Sequence, residues 1–430
     1  MITVDGVTVS TDRAHAERLD AADPLAWVRD RFAWPAARDD APPPIYLDGN
    51  SLGPLPRATA DRIAEVVATE WGEGLVRSWD RWVELPRATG DLLGDRLIGA
   101  APGQVLVGDS TTVNLFKLVN AALDAQPGRR VLVTDDDNFP TDRYVLQGIA
   151  AQRGCELRMI RTDIDAGVSR EALLGALGPD VALVSLSHVA YRSGALADMA
   201  AITALVHDAG AMMLWDLCHS VGAVPVELDA SGAEFAVGCT YKYLNAGPGA
   251  PAFLYVRSDL QARLRQPVWG WFGQADQFAM GPLYDPVPGI ERFATGTPQV
   301  IGMVAVAEGA RLLAEAGMDR LRAKSVALTS YLIELADAWL MPHGFRLASP
   351  RAAAHRGGHV TLQHPDAWRI SQALIAAGVI GDYRTPDRLR LGPTAVTTRY
   401  ADVWDALDRL RQICAGRTYE DVPAELSRVT

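Results

Sequence analysis

Trp215 to Pro251 reads WDLCHSVGAVPVELDASGAEFAVGCTYKYLNAGPGAP. The chain enters it through an apolar run, AMMLWD, that ends on Asp216. It leaves through a second run, AFLYV, which follows the polar string TYKYLNAGPG carrying Lys242. Both runs are short, rich in Val, Leu, Met or aromatic residues, and bounded by turn residues, as strands buried on both faces are. Outward from this stretch, QVLVG, RVLVT, LRMI, VALVSLS and FAVGC repeat the pattern, with helix-like segments between most of them. Strands alternating with helices predict an α/β fold with a parallel sheet covered by helices. No strand is followed by GxGxxG and no GxxxxGK[ST] string occurs, so neither a dinucleotide site nor a P-loop is supported.

An acid at one strand end and a lysine just before a later strand suit an enzyme that holds pyridoxal phosphate (PLP). The lysine condenses with the aldehyde, and an ionised carboxylate favours the protonated pyridine ring, which is the better electron sink. Taken singly, Asp216 also reads as a helix cap and Lys242 as a solvated surface group. The helix expected from DSTTVNLFKLVNAALDA is capped by Ser110, Thr111 or Thr112. Its free N–H groups and hydroxyls make an anion cradle, although an ordinary capped helix has the same sequence signature. In NFPTD, Phe139 can stack on a flat ring and Asp142 can reach its substituents; an Asx-type turn fits the same residues. DRLRLGPTA offers Arg388 and Arg390, either of which could fork onto a carboxylate or stay on the surface.

A chain of 430 residues exceeds the size at which one core usually splits, so two domains are expected. A net charge of −11 argues against a nucleic-acid partner, which would require a basic face. MITVDGVTVSTDRAH lacks the apolar core of a secretory leader, and no apolar run approaches the ~20 residues of a membrane span. Cys155, Cys218, Cys239 and Cys414 are scattered without a CxxC pair. That spacing disfavours a disulfide framework or a metal site and implies buried reduced thiols in the cytoplasm.

Toward the amino terminus, Thr11 to Asp30 reads as helical, capped by Ser10 or Thr11 and broken near Pro24. PAARDDAPPP, Pro35 to Pro44, reads as a connector, and a helix to about Trp71 follows LDGNSLGPLP. After about Val300, IGMVAVAEGARLLAEAG and a second helix starting at Val326 precede HVTLQ and VWDALDRLRQI, which together make a small α+β domain. The expected division is residues 1–55 as an N-terminal segment packing on the small domain and the site, 56–300 as the large domain, and 301–430 as the small domain.

YLDGNSLGPLP (Tyr46 to Pro56), EWGEGLVRSW (Glu70 to Trp79), NFPTD, WDLCHSVG, TYKYLNAGPG, GWFG (Gly270 to Gly273) and GTPQV (Gly296 to Val300) occur in this order. In that set the chain resembles the kynureninases, PLP-dependent hydrolases of the aminotransferase-like fold type I. The resemblance implies a large domain with a mostly parallel seven-stranded sheet, and a smaller α+β domain built from the C-terminal part and the N-terminal segment. It implies hydrolysis of L-kynurenine, and of 3-hydroxykynurenine as an open alternative, to anthranilate and L-alanine in tryptophan catabolism. It also implies a cytoplasmic homodimer with shared active sites, no nucleic acid and no membrane. Lys242, Asp216 and Tyr241 carry over as catalytic residues. Thr111, Thr112, Phe139, Asp142, Ser187 and His219 carry over as cofactor contacts beside them, and Trp271 and Thr297 as contacts to the neighbouring subunit's phosphate. Arg390, Asn50, Ser51 and Trp79 carry over to the substrate. The competing readings are another enzyme of this fold, such as a cysteine desulfurase or an aminotransferase, and a non-catalytic protein on the scaffold. A desulfurase needs a loop cysteine facing the cofactor, whereas Cys414 falls in an expected helix.

Overall fold

All seven apolar runs become strands of one sheet: β1 Val105–Val107, β2 Val131–Asp135, β3 Glu156–Ile160, β4 Val181–Ser187, β5 Met212–Asp216, β6 Phe235–Gly238 and β7 Phe253–Val256. The computed structural model describes residues 2–4, 7–35, 43–423 and 425. The strand order is β1-β7-β6-β5-β4-β2-β3. Strands β2 to β6 run parallel, and only β7 is antiparallel to its neighbours β1 and β6. Alternation sends Met213 and Trp215 of β5 into one apolar layer and Leu214 into the other. Helices fill both layers. Leu115 and Leu118 of α1 (Thr111–Ala125) pack with Leu214, as does Leu146 of α2 (Pro140–Arg153). Val306 and Leu313 of α3 (Val300–Ala316) pack with Trp215. Two-sided burial explains why the central strands read as unbroken apolar runs.

Beyond α3, the long α4 (Met318–Trp339) leads to a four-stranded antiparallel sheet. Its strands are β8 Arg346–Leu347, β9 Val360–Gln363, β10 Asp382–Arg384 and β11 Arg388–Leu391, in the order β8-β9-β11-β10. α5 (Tyr400–Gly416) closes a second core with α4 and this sheet, and Ala16, Ile45 and Leu47 join that core from the amino-terminal side. Ile45–Tyr46 pairs in parallel with Val379–Ile380, and Asp48 bridges to Gly392. These pairings lay the loop LDGNSLG beside β11 and so beside Arg390.

Several local expectations are corrected. The helix Arg13–Ala21 is capped by Asp12, whose carboxylate accepts from the Ala14 N–H at 3.1 Å, and not by Ser10 or Thr11. The expected break near Pro24 is present: the helix stops at Ala21 and a short turn, Ala26–Arg29, follows. The helix after LDGNSLGPLP runs from Arg57 to Glu65 and continues as wider π-type turns to Gly74, past Trp71. α4 begins at Met318 and not at Val326: its first turns carry Asp319, Arg320, Arg322 and Lys324, which mask the stripe that Met318 and Leu321 turn toward the core. Lys324 is nevertheless buried there, 2.6 Å from Asp23. Residues 36–42 of the Pro-rich connector lie outside the described residues. No helix among the described residues is long and apolar enough to cross a membrane.

Candidate active site

The parallel strands deliver side chains at their carboxyl ends, where open α/β sheets bind ligands. Ser187 ends β4 and Asp216 ends β5, directly opposite each other in the register. One Asp216 oxygen accepts from the Cys218 N–H at 2.8 Å; the other lies 3.4 Å from the Ser187 hydroxyl, which donates to Asn138 Oδ1 at 2.8 Å. Lys242 sits in the loop between β6 and β7. That loop turns sharply, with Asn245 at φ 56° and Gly247 at φ 87°, so the lysine folds back into the protein and not out to solvent. Lys242 Nζ is 3.2 Å from His219 Nε2, 5.7 Å from the centre of the Phe139 ring and 5.8 Å from that of Tyr241. Burial, and then the Lys242 charge, push the His219 imidazole well below its ordinary range, so its ring stays neutral and can accept from the amine.

Asp142 lies in the first turn of α2, fully buried, and its Oδ2 has no hydrogen-bond partner. Burial, reinforced by Asp216 and Asp135, pushes this carboxyl well up; Lys242 pulls weakly the other way. Burial also pushes Asp135 up, to about 7. Phe139 is 38% exposed and meets Tyr191 edge-on, which leaves a ring face open beside the lysine. At the start of α1, Ser110 is the cap and accepts from the Val113 N–H at 3.3 Å. Thr111 Oγ1 lies 3.8 Å from Cys218 Sγ, one residue before His219, and Thr112 is exposed at the same helix end.

The small domain contributes Arg390, buried at the middle of β11. Its Nε donates to Asp382 Oδ1 at 2.8 Å, Nη1 to the Tyr191 carbonyl at 2.6 Å and Nη2 to the Ser51 hydroxyl at 2.9 Å. Asn50, with its carbonyl oxygen turned toward the arginine, accepts from Nε at 2.8 Å and Nη2 at 2.9 Å. Burial and then the Asp382 charge push nearby Asp48 up to about 6, against the pull of Arg390. Arg388, the other arginine the sequence offers, pairs instead with Asp165 at 2.7 Å and with Asp387.

The structure therefore gathers Lys242, Asp216, His219, Tyr241, Phe139, Asp142 and Ser187 in one cluster, with Thr111 at its edge, and Arg390, Asn50 and Ser51 in another, joined through Tyr191. Trp79, Trp271 and Thr297 make their contacts elsewhere. Trp79 lines a shallow hollow of about 330 Å³ with Trp71, Trp82 and residues 298–302. Trp271 packs edge-on against Phe272 and Phe278, and Thr297 is exposed. Sequence reasoning missed Asn138, Tyr191 and Asp382. Asn138 opens the NFPTD string, and Asp382 pairs with Arg390 across a hairpin whose turn is TPD; Tyr191 left no signal.

A family model for the kynureninase C-terminal domain matches residues 321–410. A kynureninase of Burkholderia pseudomallei (strain 1106a) is 47% identical over 409 residues, covering 93% of this chain and 95% of the relative. A kynureninase of Pseudomonas fluorescens is 45% identical, covering 95% of this chain and 97% of the relative. The chain belongs to the kynureninase family. It is thus a PLP-dependent hydrolase. Among solved structures, a cysteine desulfurase from Thermococcus onnurineus NA1 superposes with a TM-score of 0.74 at 19% identity, covering 88% of this chain and 94% of that one. The cysteine desulfurase CsdA from Escherichia coli gives a TM-score of 0.76 at 16% identity, covering 93% and 99%. At such identities these likenesses establish the shared fold alone. The kynureninase residues fit PLP on local grounds: an unpartnered buried carboxyl at Asp142, an open ring face at Phe139, a carboxylate at the β5 end, and hydroxyls on free N–H groups at the α1 start.

Proposed function

We propose that this protein hydrolyses L-kynurenine, with 3-hydroxykynurenine as a second candidate substrate, between Cβ and Cγ to give anthranilate and L-alanine. The observation that carries the reading is the convergence of Asp216 at a strand end and Lys242 in the β6–β7 loop with a buried arginine, Arg390, from the small domain. Bound PLP supplies a covalent link to the substrate amine and an acceptor for the electron pair released at its α-carbon. Asp216 would meet the ring nitrogen, and Phe139 and His219 would pack against the ring. Thr111, Thr112 and Tyr241 would hold the phosphate, and Asp142 and Ser187 would meet the ring substituents. Arg390, seated by Asn50 and Ser51, anchors the α-carboxylate and so turns the Cα–H bond toward Lys242. Lys242 Nζ takes that proton as general base. Water adds to the side-chain carbonyl, the Cβ–Cγ bond breaks, and Cβ is reprotonated. Burial raises the Tyr241 phenol, so it keeps its proton and is our candidate donor for that step.

Trp271 and Thr297, with Trp79 near them, complete the site of a second copy. Trp71, Val76, Trp269, Phe278 and Leu283 stand exposed on the segments around these three residues, an apolar face suited to a homodimer. A cytoplasmic location fits the four free cysteines. The decisive assay follows anthranilate fluorescence with plain and 3-hydroxylated kynurenine. Anthranilate plus alanine supports the reading; kynurenic acid in their place would make the protein an aminotransferase. Sedimentation of the active protein should give a dimer, and an active monomer would remove the shared site.

A further inference from the structure

His359 immediately precedes β9 and is fully buried, yet neither ring nitrogen has a hydrogen-bond partner. A buried polar group left unmade costs about 1–3 kcal/mol, so an orphan imidazole next to an active site needs a reason. Its position supplies one. The ring lies 5.7 Å, centre to centre, from that of His219, which touches Lys242. Val360 pairs with Leu391 and Thr361 with Arg390, so the two-residue repeat of a strand puts His359 on the same sheet face as Arg390. The two side chains are diagonal neighbours, roughly 7–8 Å apart at their origins. A ligand whose carboxylate sits on Arg390 and whose α-carbon faces Lys242 extends its side chain past His219, toward His359.

The chain is built to hold the imidazole there. Gly357 donates to the Gly194 carbonyl at 2.7 Å, and a Cβ at Gly358 would come within 2.9 Å of the Tyr243 hydroxyl. A Cβ at Gly194, which has φ 73°, would come within 2.8 Å of the His359 carbonyl. Only glycines let the small-domain strand press this closely onto the large domain. Burial, then Arg390, Lys242 and Arg384, push the ring well below the usual histidine range. The backbone of Tyr191 pulls weakly the other way without reaching hydrogen-bond geometry. The ring is therefore neutral, with one nitrogen to donate and one to accept.

We propose that His359 contacts the substrate's side-chain carbonyl and the water that adds to it, accepting a proton from water on one ring nitrogen as hydroxide joins the carbonyl carbon. The other ring nitrogen gives its proton to the carbonyl oxygen in the same addition, so ketone plus water becomes the hydrate and the imidazole ends neutral, with no other reactant. The inference rests on the proposed kynurenine hydrolysis.

The test uses the PLP-loaded His359→Phe and His359→Asn variants with kynurenine in deuterated water. NMR follows exchange of the α-proton, fluorescence follows anthranilate, and absorbance follows the visible band formed when substrate is added. In His359→Phe, exchange and the band should stay within about threefold of wild type, while anthranilate release falls about 100-fold. His359→Asn, which keeps a donor, should recover part of that loss. Cleavage near the wild-type rate, or exchange and cleavage falling together, would overturn the proposal. Should the Phe variant not fold, the Asn variant is read by the same ratio. Wild-type protein that releases no anthranilate would instead defeat the proposed reaction itself.

Discussion

The two halves of the site are built on opposite terms. In the small domain, Arg390 is held at each nitrogen by Asp382, Ser51, Asn50 or the Tyr191 carbonyl, and Nη1, which among the described residues meets only that carbonyl, keeps one N–H for a carboxylate. In the large domain, Lys242 meets His219, while Asp142 Oδ2 meets nothing. A buried guanidinium is tolerable only with its counter-charge and hydrogen bonds in place, so that half is rigid before any ligand arrives. The lysine half keeps polar capacity in reserve for a ligand to use. An anchor that does not move beside a base that is not tied down is a sensible division of labour for a reaction that begins with one directed proton transfer.

The sharpest way to break this contrast is to delete each partner and measure both activity and stability. Lys242→Ala should lower kynurenine cleavage by about 10⁴-fold and abolish the visible absorbance that borohydride reduces, with little loss of thermal stability in the cofactor-free chain. Arg390→Ala should lose stability as well as activity. It strands Asp382 as a buried, uncompensated charge and should destabilise the cofactor-free chain by about 3–5 kcal/mol in denaturant unfolding. The milder Arg390→Lys keeps the charge but loses the fork, and should raise KM about 100-fold with a smaller effect on kcat. If Lys242→Ala destabilised the chain as much as Arg390→Ala, the lysine half would be structural after all.

The same asymmetry decided what could be read from the sequence. The large-domain half was legible because two-sided burial writes each strand as an apolar run, and reactive residues follow the run ends: Ser187 after VALVSL, Asp216 after MMLW. The arginine half was legible only by resemblance. Arg388 and Arg390 are two residues apart on one strand; the TPD hairpin sets Asp382 opposite Arg390, but nothing local says which arginine meets Ser51 and which meets Asp165. That choice is made by residues 339 and 223 positions away in sequence, Ser51 and Asp165. His359 was invisible for the same reason, since its importance lies in neighbours from other elements. The early start of α4 was hidden by Lys324, whose ammonium finds Asp23 only in the folded chain.

The smallest expected effect sharpens the contrast most cleanly, because it needs no substrate. Burial favours the protonated carboxyl of Asp142 in the folded chain, so on raising the pH the unfolded chain gives up this proton first. Stability carried by Asp142 is therefore full below the ordinary aspartate range, near pH ~4, and drains away as pH climbs through the raised folded value. The substitution Asp142→Asn keeps the side chain's shape and removes its ability to ionise. In the cofactor-free protein this variant should melt close to wild type near pH ~4.5, then pull ahead by on the order of 2 °C toward pH ~8. Asp382, paired with Arg390, gives the opposite expectation: Asp382→Asn should lower the melting temperature at neutral pH, because the arginine loses its counter-charge. Two buried aspartates in one site, responding with opposite sign to the same substitution, would separate a carboxyl held in reserve for a ligand from one committed to the fold.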